Sequence, residues 1–219
     1  MALLHYQPPL TPYLNILYRD EQIVIIDKPN GLLSVPGRAP EHYDSVYTRV
    51  VRPLPEAKLV HRLDMATSGL MLFALGKQAQ SHISRQFQQR TTQKTYHARV
   101  FGSLPASAGF IDLPLACDWP NRPRQQLDYQ TGKASQTQYR VLQQDADSTF
   151  VELTPYSGRS HQLRVHMQAL GCPILGDKFY AHETAFDMAP RLLLHAHQLS
   201  ITHPITEQSL RFTSDTPFC

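Results

Sequence analysis

The chain has 219 residues, of which 42% are apolar and 18% charged, a balance that supports a packed core and excludes an intrinsically disordered chain. Its longest apolar run, residues 69–76, is too short to span a bilayer, and the N-terminal stretch has no basic region and is broken by Pro8, Pro9 and Pro12, so neither a membrane span nor a signal peptide is expected. The net charge of +3 is mild, but it is unevenly spread: residues 61–140 carry ten basic and four acidic groups, and no carboxylate stands between Asp64 and Asp112.

Residues 1–14, Pro-rich through residue 12, read as an N-terminal arm lying on the surface. Asn15–Tyr18 and Ile23–Ile26 read as short strands around a turn at Asp20-Glu21, the second ended by Lys28-Pro29-Asn30-Gly31. Residues 45–51 form a short helix with Asp44 as the expected N-cap. Leu70–Leu75 is uniformly apolar and fits a buried central strand. In residues 77–89, Ala79, Ile83 and Phe87 fall on one stripe of a helix, and Arg85 projects from another face. Lys94–Phe101, Ser135–Leu142 and Thr149–Leu153 read as strands, the last two across a turn at residues 145–148. Ser160 is the expected N-cap of a helix that ends near Gly171 and buries Leu163, Met167 and Leu170. Strands near Leu192–Ile201 and Leu210–Phe212 close the chain. The pattern predicts an α+β fold, one domain over residues 15–219, with a mixed, mostly antiparallel β-sheet flanked by helices and loops.

Two segments concentrate reactive side chains. His61-Arg62-Leu63-Asp64 with Thr67-Ser68-Gly69 puts a cation, a carboxylate and two hydroxyls in a loop before the buried strand; the same residues also suit an ordinary turn. In residues 156–167, Gly158, Arg159 and Ser160 precede a helix on which His161, Arg164 and Gln168 share a polar stripe. That arrangement suits an anion, and equally an amphipathic helix with a solvated face. Arg outnumbers Lys fifteen to six, and Lys77, Arg85, Arg90, Lys94 and Arg99 lie in the carboxylate-free stretch. This suits a polyanion, nucleic acid above all, and equally a merely solvated basic surface. The histidines match no zinc spacing, and no Gly-rich phosphate loop is present, so neither a metal nor a nucleotide cofactor is expected. Cys117, Cys172 and Cys219 read as reduced thiols of a cytoplasmic protein.

Taken together these segments resemble the RluA-type family of RNA pseudouridine synthases. The motifs run in that family's order: Lys28-Pro29-Asn30-Gly31-Leu32, residues 61–69, Lys94-Thr95-Tyr96, residues 158–166, Gly176-Asp177-Lys178-Phe179-Tyr180 and Arg191-Leu192-Leu193-Leu194-His195-Ala196. The one departure is Ser157, where the family more often has Thr. Lys28-Pro29 lies too near the start for the extra N-terminal RNA-binding (S4-like) module of many relatives, and residues 117–123 look like the subgroup that acts on both 23S ribosomal RNA and the tRNA anticodon stem-loop.

The resemblance implies an isomerase that breaks the N-glycosidic bond of a uridine, turns the base and rejoins it through carbon, with no cofactor or metal. The active site would lie in a central cleft. Asp64 would be the catalytic carboxylate, attacking the ribose or the pyrimidine ring or taking a proton from the ribose. Arg164 would be its partner, a cation that favours the charged form of the carboxylate. Tyr96 would stack on the base or take part in proton transfer. Arg62 would fill the space the flipped base leaves in the RNA. His61, Thr67, Arg85, Arg90, Lys94, Arg159 and His161 complete the expected RNA-binding set. The alternative is a non-catalytic RNA-binding or RNA-folding factor using the same basic surface. The chain is expected to be a monomer with RNA as its partner and no membrane association.

Overall fold

The computed structural model describes residues 6–218, so the first five residues of the expected arm, and Cys219, lie outside the described residues. Its elements in chain order are β1 (Ile16–Arg19), β2 (Ile23–Lys28), α1 (Val46–Val51), β3 (Ala57–Leu59), β4 (Ser68–Leu75), α2 (Gly76–Gln89), β5 (Gln93–Phe101), β6 (Ala108–Asp112), β7 (Leu115–Cys117) and β8 (Gln125–Leu127). There follow β9 (Gln136–Gln144), β10 (Ser148–Pro155), α3 (Gln162–Ala169), α4 (Glu183–Asp187), β11 (Leu194–Thr202) and β12 (Ser209–Thr213). The fold is α+β with a mixed sheet and few helices, as the pattern of short strands implied. No helix among the described residues is long and apolar enough to cross a membrane. The chain divides into two compact units, residues 6–94 with 196–215 and residues 95–195 with 216–218.

In the first unit β4 is the organising strand. All eight of its residues are buried, as the apolar run required. β2 pairs with it antiparallel from Ile23 opposite Ala74 to Lys28 opposite Gly69, and β3 pairs with it from Ala57 opposite Leu75 to Leu59 opposite Phe73. Ile23, Ile25, Leu70 and Leu72 pack with Ile83 of α2 and with Leu199 and Ile201 of β11. Phe87 is packed at the edge of this core, which completes the stripe read from the sequence. Gln86 is also buried, and its amide donates to the Thr202 carbonyl (2.7 Å) and accepts from the Thr202 N–H (2.9 Å), tying α2 to β11.

The cap of α1 differs from expectation. Ser45, not Asp44, is the N-cap: its hydroxyl accepts from the Thr48 N–H (3.2 Å) while the Thr48 hydroxyl accepts from the Ser45 N–H (2.9 Å). Asp44 is drawn instead to Arg49, which is buried and needs a counter-charge. Arg49 donates from Nε to Oδ1 (2.8 Å) and from Nη2 to Oδ2 (2.6 Å) of that carboxylate. Its Nη1 donates to the Tyr13 carbonyl (2.8 Å) and its guanidinium lies 4.5 Å over the Tyr13 ring. The Tyr6 hydroxyl donates to the Asp44 carbonyl (2.8 Å) and accepts from the Leu33 N–H (3.0 Å), so the described part of the arm is anchored at both ends.

In the second unit β5, β10, β9 and β6 form an antiparallel run, with Tyr96 opposite Leu153. β7 and β8 make a separate hairpin, Leu115 opposite Leu127. Helix α3 corrects a second expected cap. Ser160 does not cap it; the chain enters through His161 in the left-handed region (φ +53°), with no side-chain cap at that residue. Gln162 braces the turn that leads into the helix, its Oε1 receiving the Arg159 N–H (3.1 Å). Leu163 and Met167 are buried as expected, but Leu170 lies beyond the helix end at Ala169 and is only half-buried.

Gly69 sits in β4 at φ +107°, and a Cβ there would overlap the backbone of Ala196. Gly69→Ala therefore combines backbone strain with a clash that neither strand can relieve, and a loss of more than about 2 kcal/mol is expected from urea unfolding. A wild-type midpoint would contradict this reading of the strand contact.

Candidate active site

β3 ends at Leu59 and β4 begins at Ser68, so residues 60–67 form the loop that carries His61, Arg62, Asp64 and Thr67. The carbonyls of a partly buried loop need partners, and here residues 28–34 supply several of them. The Lys28 ammonium, fully buried, donates to the carbonyls of Pro29 (2.9 Å), Leu32 (2.7 Å) and Met65 (2.9 Å). The Gly31 N–H donates to the same Met65 carbonyl (2.9 Å), and the Asn30 amide donates to the Ala66 carbonyl. Ser34 Oγ donates to the Leu63 carbonyl (2.6 Å) and accepts from the Leu63 N–H (3.1 Å). The Asp64 carbonyl accepts from the Thr67 N–H (3.1 Å). The residues on either side of Asp64 are thus bolted to a second segment. Asp64 itself is half-buried, Arg62 is exposed and Thr67 is buried.

His61 is built into this frame. β3 has ended before Leu72, and the Leu72 N–H donates to His61 Nε2 (2.9 Å) in place of a strand partner. An accepting Nε2 puts the proton of the neutral ring on Nδ1. The ring stacks on Phe87 at 4.8 Å and 23°. Burial, and after it the positive charge of Lys94, push the His61 pKa down to about 3. Lys94 is lowered in turn by burial and then by Arg90. His61 and Lys94 are therefore neighbours in the first unit. Arg90 is exposed at the end of α2 (φ +60°), and Arg85 is exposed on α2, where Lys77, Gln78, Ser81, His82 and Arg85 line a shallow open recess.

In the second unit Arg164 is buried, not on a solvated helix face. It meets Asp177 in a bidentate pair, Nε to Oδ2 (2.8 Å) and Nη2 to Oδ1 (2.7 Å). Asp177 Oδ1 also accepts from the N–H groups of Phe179 (2.9 Å) and Tyr180 (3.2 Å). The Arg164 guanidinium lies 5.0 Å from the Tyr180 ring and 5.2 Å from the Phe179 ring. His161 stacks on Phe179 (5.8 Å, 16°), and its Nδ1 lies 2.6 Å from the Tyr180 hydroxyl. His161, Arg164 and Asp177 thus gather around one pair of aromatic rings. Arg159 is exposed beside them in sequence, and Tyr96 is half-buried on β5.

The loop before α3 is held by Gln162, which is buried. Its Oε1 accepts from the Ser157 hydroxyl (2.8 Å), and its Nε2 donates to the Gln136 carbonyl (2.8 Å) and to Thr137 Oγ1 (3.0 Å). Thr137 Oγ1 lies 2.9 Å from His166 Nδ1, and His166 Nε2 lies 3.1 Å from the Leu113 carbonyl. Since a carbonyl only accepts, Nε2 carries the proton and Nδ1 accepts from Thr137. Burial lowers the His166 pKa, consistent with this neutral structural role.

Sequence reasoning left Lys28, Ser34, Gln162 and Asp177 without roles. Lys28 read as the end of a strand. Asp177 stood in the motif of residues 176–180, and its local signal was Gly176: at φ +70°, a Cβ there would overlap the Arg191 carbonyl, so the turn that presents Asp177 accepts only glycine.

The pattern of the RNA pseudouridylate synthase family matches residues 22–169. The dual-specificity RNA pseudouridine synthase RluA of Escherichia coli (strain K12) is 55% identical over 219 residues, the whole of both chains. The protein of the same name from Yersinia pestis is 57% identical over 204 residues, 93% of this chain and 99% of that one. Among solved structures, human RNA pseudouridylate synthase domain containing 1 aligns with a TM-score of 0.79 at 27% identity, covering 97% of this chain and 87% of that chain. The chain belongs to the RNA pseudouridylate synthase family, and its class is that of an RNA isomerase.

The His61 environment sets a pH dependence. In the unfolded chain His61 takes up a proton near 6.5, in the folded one only near 3. Between those values the unfolded state binds more protons, so stability present above about pH 6.5 is lost as pH falls. His61→Gln keeps an acceptor for Leu72 and removes the titration. Urea midpoints at pH 7 and pH 5 are expected to fall further apart for the wild type than for this variant; equal drops would contradict the assignment.

Proposed function

We propose that this chain isomerises uridine to pseudouridine in stem-loops of both 23S ribosomal RNA and the tRNA anticodon arm, acting as a cytoplasmic monomer without cofactor, metal or membrane association. The observation that carries the reading is the clamped loop holding Asp64, in a chain 55% identical from end to end to a dual-specificity synthase. The net reaction breaks the N1–C1′ bond of uridine and forms a C5–C1′ bond. C5 gives up its proton and N1 gains one, so nothing is oxidised or reduced.

Asp64 is the catalytic carboxylate of this proposal, and Tyr96 faces the base. Arg164 is the cation this proposal assigns to the catalytic set. The bidentate pair with Asp177 supports that role, because it fixes the guanidinium plane. Arg62, exposed two residues before Asp64, suits insertion into the RNA stack, where a planar cation offsets an unstacking cost of a few kcal/mol. His61 and Thr67 contribute to RNA binding by shaping the loop, since the frame encloses both. Arg85, Arg90, Lys94, Arg159 and His161 meet phosphates and bases, and added salt weakens that binding.

Asp64→Asn tests the assignment. The variant is expected to bind an anticodon stem-loop RNA as the wild type does and to form no pseudouridine by chromatography of the digested RNA. Measurable turnover in the variant would remove Asp64 from its role. A wild-type protein that binds the RNA without converting it would favour the RNA-folding alternative.

A further inference from the structure

The tip of the β7–β8 hairpin carries the chain's single tryptophan. Trp119 is 68% exposed, in a tip that is tightly closed. The Asp118 N–H donates to the Arg124 carbonyl (3.0 Å), the Asn121 N–H to the Asp118 carbonyl (3.0 Å), and the Arg124 N–H to the Asn121 carbonyl (3.1 Å). The Asn121 amide also meets both carboxylate oxygens of Asp118 (3.1 and 3.0 Å). An ordered tip that holds an indole in water forgoes a large burial gain. The Arg122 guanidinium lies 4.6 Å from the centre of the Trp119 ring. With that cation on one face, the remaining exposure leaves the other face open to solvent.

The hairpin is joined to Arg164 through Tyr180. The Gln125 N–H donates to the Tyr180 hydroxyl (2.7 Å), whose own proton is then directed at His161 Nδ1 (2.6 Å). Arg124 lies 5.6 Å from the Tyr180 ring and Arg164 lies 5.0 Å from it. Cation–aromatic contacts therefore occur both at the tip, Arg122 with Trp119, and where the hairpin is attached, Arg124 and Arg164 with Tyr180.

We propose that Trp119 and Arg122 form a stacking subsite for an unpaired nucleobase of the RNA substrate, outside the target uridine, with Arg122 also meeting the adjacent phosphate. The proposal rests on the RNA reading given above and extends it to a part of the chain that reading does not use. A lone indole beside an arginine suits a flat π-face next to a negative charge. A protein partner would call for an apolar surround that excludes water, and the neighbours Asp118, Asn121 and Arg122 do not provide one.

Because Trp119 is the only tryptophan, its emission reports on this subsite alone. A short RNA stem-loop with a uridine in its loop is titrated into the Asp64→Asn chain. Trp emission is recorded together with the anisotropy of a label on the RNA. Quenching that follows the binding curve is expected; binding with unchanged emission would overturn the proposal. In an otherwise wild-type chain, Trp119→Ala is expected to raise KM for the stem-loop roughly 5- to 150-fold with kcat nearly constant, and Trp119→Phe to restore much of the loss. Arg122→Ala is expected to lower the salt slope of binding by about 1. A wild-type KM in Trp119→Ala, on an RNA the wild type converts, would reject the subsite and leave the enzyme reading intact. Failure of the wild type to bind or convert the RNA would reject both.

Discussion

The ammonium of Lys28 is the constraint on which the candidate site depends. A charge taken out of water is tolerated only when its donors are met, and the partners of Lys28 include three carbonyls from two separate segments. Meeting them fixes the distance between the end of β2 and the loop before β4. Ser34, Asn30 and Gly31 add bonds that point the same way. The loop is therefore irregular in conformation but held at several points, as the role proposed for Asp64 requires. The uniformly buried β4 supplies the base on which this frame stands.

The second unit solves a related problem with opposite charges. Arg164 is placed by the Asp177 carboxylate, and Asp177 is placed in turn by backbone N–H groups of the turn after Gly176. Gln162, Thr137 and His166 hold the loop that leads into α3. Both units hold these candidate groups through buried polar groups whose bonds are met, and no buried side-chain N or O among the described residues lacks a partner.

What was legible in the sequence follows from range. The apolar run of β4, the stripe of α2 and the hairpin of β9 and β10 are set by neighbours a few residues apart, and they appear where their patterns place them. Caps were harder. Asp44 and Ser45 are adjacent residues that both favour caps, and only the buried Arg49 decides between them. The left-handed entry to α3 at His161 has no propensity signal, because it is imposed by the loop around Gln162. β7 and β8 are three residues each, and the Gln-rich β8 shows no strand alternation. The Asp64 loop was visible as a motif, but its clamp was not: Lys28 and Met65 are 37 positions apart, and nothing local marks them as partners.

A buried lysine, distant in sequence, sets the position of the Asp64 loop. The direct measurement is single-turnover conversion of a bound RNA by Lys28→Met, made where circular dichroism shows the variant folded. The expected result is a rate lower by about a hundredfold with RNA affinity retained. A folded Lys28→Met chain that converts bound RNA at the wild-type rate would contradict it.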